Sequence, residues 1–80
     1  TKHYDVYTDG SYNHKTRDCK FGYVFVDKEG RIIYQYKMST IDTVGLTSMY
    51  PEMKAIIYAI KNARNMNTNI TIHTDSESII

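Results

Sequence analysis

Three carboxylates in the 80-residue sequence stand where chemistry could be done: Asp9 in Thr8-Asp9-Gly10-Ser11, Glu52 in Pro51-Glu52-Met53, and Asp75 in Thr74-Asp75-Ser76. Singly, each has an ordinary structural use. Asp-Gly-Ser is a turn sequence, an acid in the first turn of a helix complements its dipole, and an Asp just before a helix caps it. None of those uses asks for all three at one edge of a sheet. Gathered there, they would repel one another unless a cation neutralised them. Oxygen ligands without His or Cys favour a hard divalent ion, Mg²⁺ or Mn²⁺. Two such ions about 3.5–4 Å apart activate a water and stabilise the leaving oxygen of a phosphodiester, which is nuclease chemistry.

The elements that would position these residues follow from the hydrophobic period. Residues 4–8 are β-branched and aromatic and predict a strand that stops at the Asp9-Gly10-Ser11 turn, followed by a polar loop over residues 12–20. Residues 21–27 alternate Phe21, Tyr23 and Phe25 against Gly22, Val24 and Val26. With residues 31–38 beyond Lys28-Glu29-Gly30, they predict a hairpin. After an irregular stretch at 39–50 the period becomes helical over residues 51–66. Met53, Ile56, Ile57, Ile60 and Ala63 form the expected apolar stripe, with Lys54, Tyr58, Lys61 and Asn65 opposite. Residues 70–74 predict a fourth strand, and Asp75-Ser76-Glu77-Ser78-Ile79-Ile80 the start of a second helix. A strand reached through a helix lies parallel to its neighbour with a right-handed crossover. Paired beside strand one, it would bring Asp9 and Asp75 out together past the carboxyl ends of two strands, where open α/β sheets place their ligands. Glu52, on the first helical turn, can point into the same crevice.

Composition leaves room for one domain only. The chain is 41% hydrophobic and 24% charged, so disorder is excluded, and a formal charge of +1 excludes a whole-molecule basic field, leaving any nucleic-acid contact local. Lys15, Arg17 and Lys20 are the local basic cluster, a solvated loop or a phosphate contact. The lone Cys19 cannot form an internal disulfide and fits a reducing, cytoplasmic compartment. No apolar run approaches the roughly 20 residues of a membrane span, so a soluble protein with no membrane partner is expected. His3, His14 and His73 lack the close spacing of a zinc site.

Tyr7-Thr8-Asp9-Gly10-Ser11, the helical run from Pro51-Glu52-Met53-Lys54-Ala55 through Ala59-Ile60, and Ile72-His73-Thr74-Asp75-Ser76 together resemble ribonuclease H type 1 over almost the whole chain. The resemblance implies an α/β, RNase H-like mixed sheet in the order β-β-β-α-β, three antiparallel strands plus a fourth parallel to the first, with the helix on one face. Residues 1–80 would be the amino-terminal part of that domain, cut at the start of its second helix and needing a complementing carboxyl-terminal fragment or second chain. It further implies Mg²⁺-dependent endonucleolytic hydrolysis of the RNA strand of RNA/DNA hybrids. Asp9 would bridge two ions, Glu52 bind one and contact the RNA, and Asp75 bind the ion on the nucleophile side. Gly10, Ser11, Ser48 and Ser76 would line the nucleic acid, with Lys15 and Arg17 on its phosphates. Thr47, Ser48 and Met49 stand where the family often has Thr-Asn-Asn, and Glu77 where it commonly has a neutral polar group. Those departures support the alternative, a noncatalytic RNase H-like module that binds nucleic acid or protein.

Overall fold

The computed structural model describes residues 2–74. Strands β1 (His3–Tyr12), β2 (Asp18–Val26) and β3 (Ile32–Ile41) precede helix α1 (Met49–Met66) and strand β4 (Asn69–His73). The sheet order is β3-β2-β1-β4, antiparallel except that β4 runs parallel to β1. This is the RNase H-like topology expected above, with the helix crossover carrying the chain from β3 at one edge to β4 at the other.

β1 is longer than the local sequence signals. Asp9, Gly10 and Ser11 do not turn; they pair with Gly22, Phe21 and Lys20 of β2. The apolar alternation of the partner strand sets the register and overrides the Asp-Gly-Ser turn preference. The reversal comes at residues 13–17, where the Asn13 side-chain oxygen accepts the Lys15 amide at 2.9 Å and Arg17 takes a left-handed φ of 64°. The second hairpin closes on Asp27, whose carboxylate accepts the amides of Glu29 and Arg31 at 3.0 and 2.9 Å.

One face of the sheet carries Tyr4 and Val6 of β1 and Phe21, Tyr23 and Phe25 of β2, all buried. Fully burying a side chain such as Val or Phe stabilises the fold by about 1.5–3 kcal/mol each. The helix meets this aromatic surface with Pro51, Ala55, Ala59 and Ala63, every fourth residue. The isoleucine stripe expected to face the core therefore does not. Ile57 and Ile60 are 41% and 44% exposed, and only Ala63 of that stripe is buried. Volume decides the matter: the rings on the sheet already fill the interlayer space, so small side chains let the helix approach. Tyr58, expected on the polar strip, packs edge-on against Phe21 at 5.3 Å between centroids. The helix ends at Asn67 (φ 55°, ψ 48°), with the Thr68 amide donating to the Ala63 carbonyl at 3.1 Å. No helix among the described residues is long and apolar enough to cross a membrane.

Candidate active site

Gly10 is where β1 meets the helix. A Cβ at this position would lie 3.1 Å from Pro51 Cβ and 3.2 Å from the Glu52 backbone nitrogen, so a residue without a side chain lets the strand pass this close to the first turn of α1. Asp9 and Glu52 are thus brought into one neighbourhood by a backbone contact between their elements. Strand alternation puts Asp9 on the face opposite Gly10. There it is exposed and lines a trough of about 590 Å³ with Tyr7, Ser11, Lys20, Gly22 and Lys37. Asp9 lies within β1, not past its end.

The two carboxylates differ in their surroundings, Asp9 in solvent and one Glu52 oxygen out of it. Glu52 Oε2 is sealed from solvent with no hydrogen-bond partner, and Asp9 has no hydrogen bond or salt bridge among the described residues. A buried carboxylate oxygen without a donor is expensive, and a hard cation satisfies it. The residues therefore fit a divalent ion in the character of their donors. Among the described residues no group of three or more His, Cys, Asp or Glu forms a metal cluster. β4 ends with His73 opposite Tyr7; Asp75 and Ser76, further along the chain, lie outside the described residues.

The other expected contacts within the described residues lie on separate elements. Lys15 and Arg17 are exposed on the 13–17 turn, Ser11 is exposed on β1, and Ser48 occupies the N-cap position of α1 without making a side-chain cap bond. His3 and His73 are engaged locally: His3 Nε2 lies 2.8 Å from Thr71 Oγ1, and His73 Nε2 lies 2.9 Å from Asp5 Oδ1, its ring stacked on Tyr7 at 4.7 Å.

Sequence reasoning passed over Asp42. This side chain is fully buried. Its Oδ1 accepts the amides of Val44 (3.1 Å) and Gly45 (2.8 Å), and its Oδ2 that of Thr47 (2.9 Å). Burial pushes its pKa up, but the amides of Thr47, Val44, Gly45 and Leu46 outweigh it and hold the carboxyl below the ordinary carboxylate range. Burial, and then the Asp42 charge, push the Tyr12 phenol and the thiol of the free, buried Cys19 up. The signal that could have found Asp42 is Asp42-Thr43-Val44-Gly45, an aspartate followed three residues later by glycine in a segment with no regular period.

A family model described as RNase H matches residues 1–80. No curated protein matches the chain. Among solved structures, RNase H1 from the halophilic archaeon Halobacterium salinarum superposes with a TM-score of 0.82 at 22% identity, over 96% of this chain and 57% of that one. LC11-RNase H1 in complex with an RNA/DNA hybrid gives 0.81 at 21% identity, over 96% and 57%. LC11-RNase H1 isolated from compost gives 0.80 at 21%, over 99% and 58%. The chain spans somewhat more than half the length of these structures, and the likeness is one of fold. With a family match over its whole length and the strand order, parallel β4 and Gly10 contact described above, the chain belongs to the RNase H family.

Proposed function

We propose that this protein is a ribonuclease H-type endonuclease that cuts the RNA strand of RNA/DNA hybrids and uses Mg²⁺, with Mn²⁺ able to replace it. The observation that carries the reading is a Glu52 carboxylate oxygen, buried and without a partner among the described residues, on a helical turn pressed against Gly10, the residue next to Asp9. The neighbour that holds an RNA/DNA hybrid supports the choice of substrate. When bound, the divalent ions would supply charge stabilisation and water activation for phosphodiester hydrolysis. Asp9, Glu52 and Asp75 would hold them. Gly10 keeps the approach to Glu52 free of a side chain, Ser11, Ser48 and Ser76 offer hydroxyls to the nucleic acid, and Lys15 and Arg17 meet its phosphates. The free Cys19, the one cysteine of the sequence, supports a reducing, cytoplasmic setting. The exposed Ile57 and Ile60 support a complementing segment or second chain against that face of the helix.

Met49, 38% exposed at the start of α1, favours a second reading, a noncatalytic RNase H-like module that binds without cutting. Cleavage separates the two. The intact protein is expected to fragment the RNA and spare the DNA of an end-labelled hybrid in Mg²⁺. Asp9→Asn, Glu52→Gln and Asp75→Asn should each lower the rate by at least about a hundredfold while the circular dichroism spectrum stays that of the parent. Full activity in Asp9→Asn would sink the catalytic reading, and hybrid binding without any cleavage would favour the module.

A further inference from the structure

We propose that Asp42 is a positioning residue for hybrid binding: its buried carboxylate holds the loop of residues 43–48, its backbone N–H ties that loop to the turn of residues 13–17, and it never touches the substrate. The proposal rests on the nuclease reading above. Its basis is that one residue fastens both segments. The carboxylate holds Val44, Gly45 and Thr47 by their amides at 2.8–3.1 Å, while the backbone N–H of Asp42 donates to the Arg17 carbonyl at 3.0 Å. The buried Cys19 thiol donates to that same carbonyl at 3.6 Å. Arg17 and Thr47 both sit at positive φ, 64° and 58°. For Thr47, a β-branched residue, this backbone region is an outlier that surrounding bonds must hold in place.

What these bonds fix is the part of the molecule assigned to the nucleic acid. Ser48 follows Thr47 directly and begins α1, and Lys15 and Arg17 ride on the turn tied through the Arg17 carbonyl. Glu52, by contrast, sits within a helix packed on the sheet through Pro51 and Ala55. Loosening Asp42 should therefore disturb substrate contacts more than the chemical step. The carboxylate meets no salt bridge among the described residues, so neutral variants leave no basic side chain stranded.

The test compares the intact parent protein with Asp42→Ala and Asp42→Asn in steady-state cleavage of a fluorescent RNA/DNA hybrid in Mg²⁺, well below the lowest melting temperature of the three. Asp42→Ala should raise KM by about tenfold with kcat within about threefold of the parent, the split expected when ground-state contacts are lost. Asp42→Asn should fall between, because its carbonyl still accepts amides while its NH₂ cannot. Amide hydrogen exchange at Val44, Gly45 and Thr47 should rise in both variants while Val6 and Phe25 stay protected. Should Asp42→Ala fail to fold, Asp42→Asn carries the comparison. A parent that cleaves with KM unchanged in a folded variant would overturn the role of Asp42 alone. A parent that cleaves no hybrid would overturn the nuclease reading, and this role with it.

Discussion

Two aspartates, one at each end of the sheet, solve the same local problem under opposite conditions. Asp27 closes the β2–β3 hairpin by accepting two backbone amides, and its second oxygen takes the Arg31 guanidinium at 3.2 Å. Asp42 closes the loop into α1 by accepting three amides, fully buried and with no salt bridge among the described residues. Both carboxyls titrate below their ordinary range. At Asp27 the leading cause is the Arg31 amide; at Asp42 amides prevail over burial. The difference teaches where replacement is tolerated. Water can reach the exposed bonds that Asp27 makes and take over part of its work, whereas the Asp42 carboxylate is fully buried and its part-buried bonds leave water less room to replace it.

Removing each carboxylate should widen that contrast. The largest effect is expected for Asp42→Ala, which leaves three amides without their acceptor and should lower Tm by about 8 °C or more in a domain of this size. Asp27→Ala should lower it by about 2–4 °C, since the hairpin amides can turn to solvent. Equal losses in thermal melts of the two variants would show that burial does not set the difference.

Acid sharpens the comparison by a smaller amount. Each carboxyl binds its proton less readily in the folded chain than in the unfolded one, so the unfolded state takes up more protons as pH falls. The stability these groups give is full above the ordinary carboxylate range and is lost as pH drops through their folded values. The denaturation midpoint should hold steady from neutral pH to about 5 and fall below about 4. Asp42→Asn and Asp27→Asn should each flatten that fall. Midpoints that decline as steeply in both variants would assign the acid sensitivity to other groups.

Much of this architecture is written in the sequence, and the exceptions have physical reasons. The change of period at Pro51 marks the helix, and the crossover rule then makes β4 parallel to β1. The Asp9-Gly10-Ser11 turn signal is local, and the pairing of Gly10 with Phe21 that defeats it comes from the alternation of another strand. On the helix, hydrophobicity picks out Ile56, Ile57 and Ile60, yet the ring volume of Phe21, Tyr23 and Phe25 selects Ala55, Ala59 and Ala63. No reading of the helix alone contains that volume. Gly10 and Glu52 were legible as motif members. Asp42 was not, because its bonds go to backbone in an aperiodic segment and only the folded loop shows them.

The measurement closest to the central claim, that Glu52 is a carboxylate held for a cation, is a pair of thermal melts with and without Mg²⁺ on the parent and Glu52→Gln. Without metal the variant should match or exceed the parent, by up to the roughly 4–8 °C that ~1 kcal/mol is worth in a domain this small, because it removes a charge whose buried oxygen has no partner among the described residues. Saturating Mg²⁺ should then raise the parent more than the variant and close or invert the gap. A Glu52→Gln protein that melts below the parent without metal, with Mg²⁺ raising both equally, would contradict the claim and make Glu52 a structural residue of the first helical turn.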